Sequence, residues 1–227
     1  MIFNLPRGVL QFAVNASIDT LATNANLKRW GKRRNAKCDL CGHRETVHHV
    51  LNNCEVLLER YKWHHNSILK YLIDSTNCTD NEKLYSDLSG MMPGCSTVPV
   101  DILITKQKPD LVIVNRCDRC ITMLELSVAF ETNIESTHEL KINRYQNLIS
   151  DIENTGYKVK YYALEIGSRG YISPDNHQRL KSFVKCHVES KLNIIKDNIC
   201  KTAPISSFII YHSKFEQDWI NPGYVEF

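Results

Sequence analysis

Two carboxylates, Asp110 and Glu125, are placed where they could do chemistry together. Lys108, Pro109 and Asp110 precede a short apolar run, Leu111 to Val114. A polar turn follows, and then a second run, Ile121 to Val128, carries Glu125 and Ser127. Carboxylates at the edges of two neighbouring strands can hold a divalent cation between them, and a nearby lysine can stabilise a phosphate or polarise a water. That is the minimal equipment for metal-assisted phosphodiester hydrolysis. A second constellation lies earlier, Cys38-x2-Cys41-x7-His49-x4-Cys54. Three thiolates and one imidazole suit Zn²⁺ in a tetrahedral site, and the tight Cys-x2-Cys turn lets both sulfurs face one ion. A closed four-ligand set leaves no position for water, so such a zinc is structural. His48 is an alternative ligand to His49, and His43 a more remote one.

These residues need strands and a helix to position them. On the second run Met123, Glu125, Ser127 and Ala129 share one face, and Leu124, Leu126, Val128 and Phe130 the other. Glu125 is therefore an acid on a largely apolar strand. Downstream, Ile134, His138, Lys141, Tyr145, Leu148 and Ile152 recur at steps of four and three, which predicts an amphipathic helix. Lys141 falls on its packed stripe, where a lysine is costly without a partner. It acts there as a catalytic cation beside the carboxylates, as a structural ion pair with Glu125, or as a buried stem with its amine in water.

The pattern resembles the PD-(D/E)xK nucleases, and more closely the restriction-like endonuclease at the C-terminal end of site-specific non-LTR retrotransposon proteins. That family has a basic residue, Pro and Asp, then about a dozen residues, then Asp or Glu on a strand; here fourteen residues separate Asp110 from Glu125. The wider superfamily places lysine two residues after the second acid, where this chain has Ser127. The retrotransposon branch moves it to the next helix as Lys-x-x-Lys/Arg-Tyr, matched by Lys141, Arg144 and Tyr145. The resemblance implies Asp110 and Glu125 as ligands of Mg²⁺ or Mn²⁺, Lys141 as the catalytic lysine, and Arg144 and Tyr145 as holders of the nucleic-acid backbone. It favours His49 over His48 in a Cys-Cys-His-Cys zinc knuckle. It also implies that target DNA is nicked to prime reverse transcription, with element RNA as a further partner. No Tyr/Phe-x-Asp-Asp signature is present, so no reverse-transcriptase activity is expected. Residues 5–16 resemble the segment joining that polymerase to the knuckle, which implies the tail of a polyprotein or a late-starting gene copy. Phe130 and Glu131 resemble a Pro-Phe-Glu sequence of the family, with Ala129 in place of the proline, and this brings Glu131 towards the metal.

Composition fits this reading. The chain has 227 residues, 43% hydrophobic and 23% charged, ordinary for a globular protein. It has no run of roughly 18 apolar residues and no signal-peptide layout, so no membrane partner is expected. Its nine cysteines then read as thiols and metal ligands. The net charge of +3 hides an asymmetry, because residues 1–37 hold seven basic residues against the single acid Asp19. Lys28, Arg29, Lys32, Arg33 and Arg34 cluster around Trp30. Such a cluster suits a phosphate backbone, where neutralisation releases counterions. It also reads as a nuclear-localisation signal, placing the chain in the nucleus, with the cytoplasm as a second compartment.

The fold expected is mixed α/β: a restriction-endonuclease-like sheet with flanking helices, preceded by a small helical zinc-knuckle module. Residues 1–37 form a basic, partly helical segment, 38–73 the knuckle and its helix, 74–96 a linker ending at the Pro93-Gly94 turn signal, and 97–227 the nuclease domain. Val98 to Ile104 predicts a strand, as does Tyr157 to Ile166. A helix is expected from 175 to about 199, and Ile205 to Tyr211 is a short strand or helix. Cys117-x2-Cys120 reads as a hairpin turn. Trp63, His64 and His65 either touch nucleic acid or pack. Two rival readings remain: a nucleic-acid-binding zinc protein with an inactive nuclease, as a decayed or co-opted element copy would be, and a purely structural zinc protein.

Overall fold

In a computed structural model, residues 5–76, 78–88, 96–185 and 192–224 are described. Six α-helices and four strands appear among them: α1 (Arg7–Ser17), α2 (Asn24–Arg29), α3 (Leu58–Asp74), β1 (Glu82–Ser86), β2 (Leu111–Asn115), β3 (Cys120–Ala129), α4 (Ile134–Asn154), β4 (Lys158–Gly167), α5 (Pro174–Lys185) and α6 (Leu192–Ser213). The strands form one mixed sheet in the order β1-β2-β3-β4. β1, β2 and β3 pair antiparallel, and β3 pairs parallel with β4. A parallel pair needs a long crossover, and α4 supplies it.

The side-chain alternation of β3 decides what covers each face. Val112, Val114, Ile121 and Met123 pack against Tyr145, Leu148 and Ile152 of α4. On the opposite face Leu111, Ile113, Leu124, Leu126, Leu164 and Ile166 meet α3, α5 and α6. Glu125 shares its face with Met123, so its carboxylate is turned towards α4. The fold is thus mixed α/β, with a four-stranded sheet flanked by helices.

Two expectations change. Val98–Ile104 is not a strand but a series of turns, in which the Ile102 and Leu103 N–H groups donate to the Pro99 carbonyl. Val98 and Ile102 still fill the core beneath α4, so their apolar character reflects burial and not sheet pairing. The missing edge strand is instead β1, inside the 74–96 segment expected as a linker; the Pro93-Gly94 signal lies outside the described residues. Ile205 to Tyr211 belongs to α6, which continues past Pro204. Part of the helix expected over 175–199 is α5; residues 186–191 lie outside the described set.

The knuckle segment does not stand apart from the sheet. Val47, Val50, Leu51 and Leu57 share one buried cluster with Phe12 of α1, Trp63 of α3 and Ile210 of α6. Glu45, 1% exposed, pairs with Lys214 just beyond α6 at 2.8 Å. Arg60 of α3 donates to the carbonyls of Ser213 and Glu216 at 2.9 and 2.8 Å.

Candidate metal centres

Residues 38–54 fold as the spacing requires. The Cys38 N–H donates to the His43 carbonyl at 2.6 Å and the Gly42 N–H to the Cys38 carbonyl at 2.9 Å. Gly42 takes φ of 79°, the left-handed region that glycine enters without a Cβ clash. A single π-type turn, His49–Asn53, then carries His49 back over the loop. The ligand atoms of Cys38, Cys41, His49 and Cys54 all lie within 4.8 Å of one another. Cys54 Sγ is 3.8 Å from Cys41 Sγ, and His49 Nε2 is 3.2 Å from Cys41 Sγ. Zn–S bonds of about 2.3 Å in a tetrahedron put sulfurs about 3.8 Å apart, so the donor set fits a zinc ion. Burial, with the neighbouring Cys41 and Cys38 sulfurs adding to it, pushes the Cys54 thiol up to about 12; a bound cation reverses that preference. His48 is not in the group. Its ring stacks on Phe130 at 4.8 Å. Among the described residues no other set of three or more such side chains converges this closely, and Cys117 and Cys120 sit at the β2–β3 turn.

Tyr61, on the first turn of α3, braces this loop. Its hydroxyl accepts from the Cys54 N–H at 3.0 Å and reaches the Val50 carbonyl at 2.8 Å.

The two acids meet where β2 begins beside the middle of β3. The Asp110 N–H donates to Glu125 Oε2 at 3.2 Å. Asp110 Oδ2 accepts from the Leu126 N–H at 2.7 Å. Lys141 points into this site, with its Nζ 2.5 Å from Glu125 Oε1. Glu125 is 3% exposed. Burial, helped by the Asp110 charge, raises its pKa, and Lys141 opposes the rise. The three residues singled out by spacing are therefore brought together.

One member of the site was not legible as such. His65 of α3, read as part of an apolar stripe or a nucleic-acid contact, places Nε2 3.2 Å from both Asp110 Oδ2 and the Leu126 carbonyl oxygen. Its Nδ1 lies 3.1 Å from Asn66 Oδ1. Burial alone would lower its pKa; the Asp110 charge and hydrogen bond, with those to Asn66 and Leu126, outweigh it and push the ring up to about 9. Its only sequence signal was a polar residue four positions after Tyr61 on a packed helical stripe. Its neighbours pack: Trp63 and His64 are 3% and 1% exposed.

Two other residues take different roles from those expected. Tyr145 is fully buried and donates its hydroxyl to the Lys108 carbonyl at 3.0 Å. It holds the strand that presents Asp110, and it cannot also touch a phosphate. Glu131 pairs with Arg169 Nε at 2.6 Å, a structural ion pair away from the acids. Arg144 is exposed on α4, with its guanidinium 5.5 Å from the Tyr145 ring centroid.

A cleft of 670 Å³ runs beside Lys141 and His65, the side-chain partners of the two acids, which themselves do not line it. Its walls run from His48 and Asn52 beside the knuckle, past Tyr61 and Lys62, to His65, Ser127 and Lys141. Ser127, two residues after Glu125, has a buried hydroxyl without a hydrogen-bond partner among the described residues.

The basic cluster divides. Arg33 pairs with Asp39 and donates to Asn24 Oδ1 at 2.8 Å, and Arg29 pairs with Asp19 at 3.3 Å. Lys28, Lys32 and Arg34 are exposed. Replacing these three with alanine is expected to weaken nucleic-acid binding alike for all sequences and to flatten its salt dependence by about two to three phosphate contacts. Fluorescence anisotropy across a salt series reads the slope; an unchanged slope places these side chains off the binding path.

No protein-family model and no curated protein matches the chain. Among solved structures it is similar to an N-terminal domain of a reptarenavirus L protein, at 11% identity over 91% of this chain and 96% of that chain, with a TM-score of 0.35. A likeness this loose carries none of the argument. No helix among the described residues is long and apolar enough to cross a membrane.

Proposed function

We propose that the chain is a metal-dependent DNA endonuclease of the PD-(D/E)xK type with a structural zinc knuckle, akin to the C-terminal region of site-specific non-LTR retrotransposon proteins. The observation that carries this reading is the meeting of Asp110 at the head of β2, Glu125 of β3 and Lys141 of α4. Asp110 and Glu125 offer the hard oxygen donors that Mg²⁺ or Mn²⁺ prefers. A divalent ion held there supplies positive charge to the scissile phosphate and lowers the pKa of an attacking water. The remaining work falls to the chain. Lys141 sets a fixed cation beside the reacting phosphate, where charge builds in the transition state. Tyr145 fixes the Lys108 backbone and so the position of Asp110. A strand lying in the cleft would pass Lys141, and Lys28, Lys32 and Arg34 add sequence-independent attraction. The nucleus, and target nicking that primes reverse transcription by a partner polymerase, belong to the same reading.

Lys141→Ala tests the assignment of roles. Metal binding should survive, while plasmid nicking falls by about 10²-fold, the usual loss when one transition-state donor is removed. Unchanged nicking would reduce Lys141 to a structural partner of Glu125. One observation favours a second reading, a binding module with an inactive nuclease. Glu125 is engaged by Lys141 and the Asp110 N–H, and Asp110 by Leu126 and His65, so both carboxylates have protein partners without a metal.

A further inference from the structure

A second cleft, of 500 Å³, opens between the first turns of α4 and α5, over Glu165 of β4. None of Asp110, Glu125 and Lys141 lines it. Glu165 is 0% exposed and compensated from two sides. Its Oε1 lies 3.1 Å from His138 Nδ1, and its Oε2 lies 3.3 Å from Arg179. Three further acids on the walls, Glu135, Glu139 and Asp175, are exposed and have no ion-pair partner among the described residues. Glu135 and Glu139 stand one turn apart on α4, where like charges repel. The helix dipole favours Glu135 and Asp175, which sit in the first turns of α4 and α5, but it does not account for Glu139.

The floor of the cleft supplies an independent observation. Asn176 lines it and is 0% exposed. Its Oδ1 accepts from the Glu165 N–H at 3.1 Å and from Arg179 at 3.0 Å. Its Nδ2 is buried with no hydrogen-bond partner among the described residues. An amide N–H in that state is costly, and an acceptor on a ligand would relieve the cost. With Oδ1 taken by β4 and α5, the Nδ2 edge is the part of the amide left for such a ligand. Tyr171, 50% exposed on the same cleft, offers a ring to an alkyl stem or a cation.

A ligand for this cleft therefore carries a cation and a neutral acceptor together. A polyamine has the cation without the acceptor, and a nucleic-acid backbone is repelled by the acids. A lysine or arginine residue within a peptide has both. We propose that the cleft docks a basic peptide segment of a partner protein. One lysine or arginine side chain lies among Glu135, Glu139 and Asp175, its stem along Tyr171, and a neighbouring main-chain carbonyl accepts from Asn176 Nδ2. The site is independent of the nuclease reading and stands whether or not DNA is cut.

Fluorescence anisotropy of the full, zinc-loaded chain tests this, with a labelled peptide of alternating lysine and glycine blocked at both ends. Saturable one-to-one binding is expected. Spermine, a polycation without carbonyls, should displace the labelled peptide at least about tenfold less well than an unlabelled peptide of equal charge. The double variant Glu135→Gln, Glu139→Gln removes two exposed charges without disturbing a packed side chain, and should weaken the peptide by about tenfold. If spermine competes as well as the peptide, the cleft is a general acidic patch and the proposal falls. It falls equally if the double variant binds like wild type, or if the peptide does not bind at all. Displacement by free lysine as effective as by the blocked peptide would assign the cleft to an amino acid and overturn the peptide assignment.

Discussion

Asp110→Asn is expected to reduce DNA nicking by on the order of 10³-fold, equivalent to about 4 kcal/mol of transition-state stabilisation. The substitution keeps the size of the side chain and removes one charge. The retained oxygen can still accept from the Leu126 N–H, while charge pairing with His65 is lost. Two adjacent acids repel each other, but Asp110 is already compensated by Leu126 and His65. The variant should lose about 1 kcal/mol of metal-free stability and all of the stabilisation that Mg²⁺ or Mn²⁺ gives the wild type. Thermal melts with and without metal separate the two effects. An equal metal-induced shift in wild type and Asp110→Asn would show that Asp110 is not a ligand.

The second large effect concerns the knuckle. One Zn²⁺ per chain should copurify, and Cys54→Ser should lose it. Structural zinc contributes about 10 kcal/mol or more in small zinc modules, comparable to the whole stability of an ordinary domain. Packing ties this module to the rest of the chain. Val50, Leu51 and Leu57 share a core with Trp63 and Ile210, and Glu45 is buried against Lys214. Zinc removal is therefore expected to loosen α3 and α6 and to lower nicking together with zinc content. Elemental analysis paired with a chelator-dependent melt checks this. A zinc-free preparation with unaltered melting and nicking would contradict it.

The parts of the site that were legible in the sequence share a physical reason. β2, β3, α4 and β4 carry strong apolar periodicity because each packs at least one face into a core, and Asp110, Glu125 and Lys141 interrupt that periodicity with charge. β1 was missed because Glu82 to Ser86 is a largely polar edge strand with little burial pattern. Val98 to Ile104 misled in the opposite direction, since apolar loop residues beneath α4 look like a strand. His65 was not legible as a partner of the acids because 45 positions separate it from Asp110, and only the packing of α3 across the sheet brings them together. Tyr145 matched a motif, but its complete burial gives it a supporting role that spacing does not reveal.

The central claim is that Asp110, Glu125 and Lys141 form a metal-dependent nuclease site. Incubation of the purified chain with supercoiled plasmid, in Mg²⁺ or Mn²⁺ and in EDTA, with Asp110→Asn in parallel, tests it most directly. The account predicts conversion to nicked circles by wild type with metal, none in EDTA, and none above background for the variant. Nicking that persists in EDTA or in Asp110→Asn, or no nicking by a folded, zinc-loaded wild type with either metal, would contradict it.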